Sequence, residues 1–286
     1  MTDRPPRPTR PDTREVAELK QLKEQQPDLA SAVDMQLELV EMTRRMQSRV
    51  PLPWIQFDAA WLAAEQAAGR PAVRFGDIPL EWSDFRLALR HVADILHRYD
   101  AIDRAAHDEW QALSRDGNAL APVVTRWYAA TSRRPEPDDP SAPTIASAGA
   151  DHVLLLALRP FISRCAEALL ARPELAGWRF GHCPVCAWEP DFSTITPGAE
   201  RRLICGRCVA QWTFDAIGCP FCDNRERTRI TSFATRDGRY RVSACDACQR
   251  YVKGYDGRNA PRPVLVAVDT IATLPLDAAA MQRGYA

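Results

Sequence analysis

Eight of the nine cysteines stand in four Cys-x-x-Cys pairs: Cys183/Cys186, Cys205/Cys208, Cys219/Cys222 and Cys245/Cys248. A two-residue gap lets both sulfurs of one tight turn face a single ion, and two such turns complete a tetrahedron with bonds of about 2.3 Å. The eight thiols therefore supply ligands for two four-thiolate sites, each taking one metal ion. Four sulfurs suit zinc or a single rubredoxin-type iron, and spacing does not separate the two. Every coordination position would belong to the protein, leaving no place for an activated water. The chemistry to expect is scaffolding, binding or electron transfer, and the chain is expected not to be an enzyme.

Two other uses of such pairs fit less well. A disulfide scaffold would be short and cysteine-dense, whereas residues 1–164 carry no cysteine, and the Arg/Pro-rich start, with no apolar core, is not expected to act as a secretory signal. A thioredoxin-type motif follows a strand in a βαβ unit, a context that is not repeated here four times. Thiols that must stay reduced to hold metal point to the cytoplasm.

Eighteen residues separate Cys186 from Cys205, and 22 separate Cys222 from Cys245, room for a hairpin in each case. The second hairpin would turn at Asp237-Gly238. Pairing neighbours puts Cys183, Cys186, Cys205 and Cys208 in the first site and Cys219, Cys222, Cys245 and Cys248 in the second. A crossed pairing of the first knuckle with the third stays open. The repeat of Cys-Pro-Val-Cys at 183–186 and Cys-Pro-Phe-Cys at 219–222 suggests a duplicated module. Such modules are too small for a sufficient core, and a structural metal contributes on the order of 10–16 kcal/mol to folding. Cys165, with His152 and His182 near it in sequence, has no third partner for nucleophilic chemistry and reads as a small buried hydrophobe. His182 reads as a hydrogen-bonded or solvent-facing neighbour of Cys183, since the thiolates already fill both tetrahedra.

The elements that must position these turns come in two kinds. Residues 14 to about 130 have helical periodicity. Phe85, Leu89, Val92, Leu96 and Tyr99 keep one apolar face, with Ser83 placed to cap it. Leu29, Val33, Leu37 and Val40 form one stripe and Met35, Leu39, Met42 and Met46 a second on the same segment, which predicts a central helix. Shorter helices are predicted at 58–68, 102–113 and 120–128. A Pro-rich loop follows at 133–148, then a helix at 152–171 capped by Asp151 and bent or broken at Pro160. After Gly177 the period changes, and short strands are predicted at 192–196, 202–204, 212–217, 228–234, 240–242 and 264–268. The expected fold class is α+β: an N-terminal all-α domain at 14–176, then two tandem all-β modules at 177–217 and 218–286, preceded by a disordered Arg/Pro tail at 1–13.

The chain has 286 residues, 46% of them hydrophobic, with 37 basic and 37 acidic side chains. A zero net charge offers no field for polyanions, so no nucleic acid is expected as partner. The longest apolar run, 153–158, is far short of the roughly 20 residues that span a bilayer, so no membrane insertion is expected. Between 177 and 260 basic residues outnumber acidic ones by 13 to nine, an excess that two four-thiolate sites, each carrying a net double negative charge with a divalent ion, would cancel. Arg225, Arg227 and Arg229 could still form a local anion patch.

These residues resemble a known family. Cys183-Pro184-Val185-Cys186 with Pro190, Leu203-Ile204-Cys205-Gly206-Arg207-Cys208 with Trp212, Cys219-Pro220-Phe221-Cys222, and Cys245-Asp246-Ala247-Cys248 followed by Tyr251-Val252-Lys253 are similar to the knuckles of FdhE, the formate dehydrogenase accessory protein. Asp269-Thr270-Ile271-Ala272-Thr273-Leu274, Leu276-Asp277 and Gly284-Tyr285 resemble its C-terminal signature. Ala187-Trp188 departs from the family's usual Gly-Ser, and Thr270 replaces the second acid of its Asp-Asp-Leu run. The resemblance implies a helical domain followed by two rubredoxin-like (zinc-ribbon-like) modules whose eight cysteines hold two metal ions, iron or zinc. It implies a cytoplasmic accessory protein, chaperone-like and not catalytic, for maturation of formate dehydrogenase, with the catalytic subunit as partner. Trp212, Phe221, Tyr251 and Asp269 are the contact residues to expect; self-association is left open. The alternatives are a rubredoxin-like redox protein and a nucleic-acid-binding zinc ribbon.

Overall fold

The computed structural model describes residues 11–55, 58–132, 150–169 and 173–286. Residues 1–10 of the expected tail and the whole 133–148 loop lie outside the described residues. The α+β expectation is borne out: helices fill the first half, and a sheet with two four-cysteine groups fills most of the second.

The helical half contains α1 (Pro11–Gln25), α2 (Ala30–Gln47), α3 (Ala59–Ala67), α4 (Trp82–Arg98), α5 (Arg104–Arg115), α6 (Gly117–Thr131) and α7 (Ala150–Leu169). Helix α1 begins inside the expected tail. The two stripes of α2 face different neighbours. Val33 and Val40 pack with Leu19 and Leu22 of α1, while Leu39, Met42 and Met46 enter the main core. The α4 stripe of Phe85, Leu89, Val92 and Leu96 is buried in that core.

Two expected caps are corrected. Ser83 lies inside α4, whose N-cap is Glu81. Asp151 lies within α7 and accepts a 2.7 Å hydrogen bond from the Trp127 indole instead. Caps do form where a carboxylate stands just ahead of the first turn, with Asp58, Asp103 and Asp116 accepting from the N–H groups of Ala60, Ala106 and Ala119. Pro160 is carried inside one continuous α7.

The strands are β1 (Pro190–Ile195), β2 (Arg201–Cys205), β3 (Gln211–Thr213), β4 (Ile230–Ala234), β5 (Tyr240–Cys245) and β6 (Arg250–Asp256). They form one sheet in the order β3-β2-β1-β6-β5-β4. Each half is an antiparallel three-stranded meander, and the halves join where β1 runs parallel to β6. Gly254 of β6 faces Ser193 of β1, and a Cβ there would stand 2.4 Å from the Ser193 hydroxyl, so a larger residue would force that hydroxyl off its bond to the Lys253 carbonyl.

The segment after β6 differs from the all-β expectation. The strand predicted at 264–268 runs into a helix, α8 (Val266–Ala272), followed by α9 (Leu274–Met281). Val268 and Ile271 of α8 pack against α1 and α2, a helical spacing that the short apolar run concealed. Among the described residues no helix is long and apolar enough to cross a membrane.

Candidate metal centres

The eight thiols gather by neighbouring pairs. Cys183, Cys186, Cys205 and Cys208 form one group and Cys219, Cys222, Cys245 and Cys248 the other, with the sulfurs of each group within 4.8 Å of one another. The crossed pairing does not occur. Sulfur–sulfur distances are 3.5 Å for Cys183–Cys208, 3.6 Å for Cys186–Cys205 and 3.7 Å for Cys186–Cys208. In the second group Cys219–Cys248 and Cys222–Cys245 are both 3.7 Å. A tetrahedron with bonds of about 2.3 Å has edges of about 3.8 Å, so both groups fit one ion each by spacing and by donor type.

One backbone pattern repeats four times. The residue after the second cysteine of each knuckle has positive φ: Ala187 at 56°, Val209 at 61°, Asp223 at 57° and Gln249 at 58°. Its N–H donates to the carbonyl of the first cysteine, at 2.9, 3.2, 3.1 and 2.8 Å respectively. The N–H of Val185 donates to the Cys183 sulfur at 3.4 Å, and those of Arg207 and Cys208 donate to the Cys205 sulfur at 3.3 and 3.4 Å. Backbone donors likewise serve Cys219, from Phe221 and Cys222, and Cys245, from Ala247 and Cys248. Such donors favour thiolate over thiol.

The two sites differ in setting. All four sulfurs of the first belong to buried residues, and the site lies in the main core beside the helical half. The N–H groups of Ala72 and Val73 donate to the Pro184 and Val185 carbonyls at 2.9 and 3.0 Å, clasping the first knuckle from the α3–α4 connection. Burial pushes the Cys183 and Cys208 thiols up. Burial also opposes ionisation of Cys186, but hydrogen bonds from Cys183, Cys205 and Cys208 and the Arg207 charge bring it below the usual thiol range. The second site is peripheral, with Cys222 exposed and Cys248 half-buried. Arg250 bridges the sites, stacking 3.8 Å over the Phe221 ring and gripping Glu189 with hydrogen bonds of 2.7 and 2.6 Å.

The other nominated residues separate cleanly. Cys165 is buried, and desolvation raises its thiol to about 12. The imidazole Nε2 of His182 lies 2.8 Å from the Gly69 carbonyl, the expected neighbour role. Phe221 and Tyr251 line a cavity of about 420 Å³ between the third knuckle, β6 and the C-terminal helices. Trp212 and Asp269 do not fit a contact role. Trp212 is buried with its indole donating to the Phe180 carbonyl at 3.0 Å, and Asp269 is fully buried against Arg262, Tyr240 and the Leu265 N–H. The C-terminal signature thus anchors α8 through Asp269, and Tyr251 and Lys253 both hold Asp277 of α9. Sequence reading missed the clasp by Ala72 and Val73 and the surroundings of Arg207, which it counted only within a general basic excess.

No protein-family model matches the chain. It is 31% identical over 108 residues to "Protein FdhE" of Escherichia coli O1:K1, with the same figures for the proteins of that name from Shigella boydii serotype 18 and Escherichia fergusonii. The match covers 37% of this chain and 35% of each relative, so it spans about a third of the length of these curated relatives. The structure superposes on the crystal structure of the FdhE protein from Pseudomonas aeruginosa with a TM-score of 0.65 at 20% identity, covering 96% of this chain and 92% of that one. The fold along almost the whole chain and the sequence over 108 residues bear out the resemblance to the FdhE family.

Proposed function

We propose that this chain is a non-enzymatic, cytoplasmic accessory protein in the maturation of formate dehydrogenase, and that it binds the catalytic subunit through a surface shaped by two metal ions held by Cys183, Cys186, Cys205, Cys208 and by Cys219, Cys222, Cys245, Cys248. The observation that carries this reading is the pair of four-sulfur groups with tetrahedral edges on an FdhE-like fold. When bound, the ions supply cross-links that hold knuckles and hairpins together. The protein's own part is to present thiolates with backbone donors and to exclude water from the first site. Four protein ligands per ion leave no position for substrate, which argues for a binding role. Of the four nominated contact residues, Phe221 and Tyr251 still line open space, in the cavity beside the third knuckle.

A second reading, a rubredoxin-like redox protein, has one observation in its favour: the exposure of Cys222, which gives an ion at the second site a short path to the surface. Anaerobic purification with elemental analysis, followed by a pull-down of formate dehydrogenase subunits, tests both. The accessory reading expects two equivalents of iron or zinc and capture of the catalytic subunit, lost when Cys183 and Cys186 are replaced by Ser. Two metal ions with no captured subunit would overturn it. Iron with reversible bleaching on reduction would favour the redox reading, and zinc would remove it.

A further inference from the structure

Arg207 is fully buried inside the second knuckle of the first site, between Gly206 and the ligand Cys208. Among the described residues no carboxylate forms an ion pair with it. Its guanidinium is held instead by neutral groups: Nη1 donates to the Ser132 hydroxyl at 3.0 Å and approaches the Cys186 carbonyl at 3.5 Å, Nη2 donates to the Thr131 hydroxyl, and Nε has no partner. Three rings wall it in, Trp188 at 4.1 Å, Trp127 at 4.8 Å and Tyr128 at 5.0 Å from the guanidinium carbon. A buried cation with no anion is costly even after the surroundings relax. The negative charge that Arg207 acts on is that of the first site's thiolates, Cys186 among them, whose cysteines flank it in the chain; Asp191 beside Gly206 faces Arg159 and Lys253 instead. Four thiolates on a divalent ion carry a net double negative charge, and one guanidinium halves it.

We propose that Arg207 is the counter-cation of the first four-thiolate site, held in place by the end of α6 and by Trp188, so that retention of the first ion is set from the helical half. This rests on the metal-binding reading above. The second site is served differently, by two arginines near Cys219 that are each shared with other groups. Arg250 is committed to Glu189, and the buried Arg201 is turned onto the carbonyls of Asp215 and Gly218. Arg207 is a positioning residue, since it acts through the thiolates and not as a ligand.

The test loads full-length wild type, Arg207→Met and Arg207→Lys with cobalt(II) without oxygen. Thiolate-to-cobalt charge-transfer absorption reports each tetrahedral site, native mass spectrometry counts the ions kept against a chelator, and alkylation of freed thiols assigns the site. Arg207→Met is expected to raise the dissociation constant of the first site about 10-fold or more while leaving the second unchanged. Arg207→Lys, which keeps the charge and loses the fork, is expected to recover most of that loss. Equal affinities in wild type and Arg207→Met, or equal losses in the Met and Lys variants, would overturn the proposal. Should Arg207→Met fail to fold, Arg207→Gln against Arg207→Lys makes the same comparison of neutral with charged. A wild type that takes up no cobalt would instead overturn the metal reading itself.

Discussion

The residue after each second cysteine carries backbone that favours glycine, yet no knuckle here has a glycine at that place. Ala187 is the clearest case: its φ is 56°, it is buried, and the family it resembles usually has Gly there. Left-handed backbone costs a residue with a Cβ about 1–2 kcal/mol, while glycine's greater freedom in the unfolded chain returns about 0.4–1. Ala187→Gly is therefore expected to stabilise the metal-loaded protein by about 0.5–1 kcal/mol, read as a higher midpoint in denaturant with unchanged slope. A lower midpoint would mean that the methyl group packs better than its backbone fits. At this scale the sequence was most legible, because a ligand's identity is its residue type and its reach is its spacing. What a spacing rule does not carry is the third dimension around a ligand. Arg207 looks in sequence like any surface arginine, and only the return of α6 and Trp188 removes it from water.

Among elements, the decisive contact is between the two leading knuckles. A Cβ on Gly181 would stand 2.0 Å from the Pro220 carbonyl oxygen and 2.6 Å from its carbon, both backbone atoms that have no rotamer to change. Gly181→Ala must push the third knuckle away from the first, which strains Phe221 beneath Arg250 and the Arg250–Glu189 pair. A loss of about 1–3 kcal/mol is expected, as for other forced overpacking, together with faster release of the second ion. Unchanged stability and release would show that the knuckles can slide apart freely. The hairpins were legible because each brackets a known number of residues between cysteine pairs. The seam was not. Pairing β1 with β6 joins residues 60 apart, such as Ser193 with Lys253 through the 3.0 Å hydrogen bond from its hydroxyl, and the Lys and Gly in β6 blur its strand signal. Helix α8 was misread for a similar reason, since a short apolar run fits strand or helix equally until its tertiary neighbour is known.

Across the whole molecule the two metal centres have unequal work. The first sits in the core that the helical half shares with the sheet, reached by Ala72, Val73, Arg159 and the end of α6. The second serves the outer meander and meets solvent at Cys222. A chelator reaches an ion through exposed ligands, so with both ions bound the second is expected to leave first. Its loss should free four thiols for alkylation while the tryptophan fluorescence stays near its native position, because Trp127, Trp178 and Trp188 surround the first site and its approach. Stripping the first ion should then shift that emission to the red, free the remaining ligands and expose Cys165, whose raised pKa keeps it inert at neutral pH while buried. Simultaneous loss of both ions in one cooperative step would contradict this division, since it would make the peripheral site as integral to the fold as the central one. Two steps in the stated order would locate the bond between helices and sheet at Cys183, Cys186, Cys205 and Cys208, and would leave the outer meander as the part whose shape can change while the rest of the molecule stays folded.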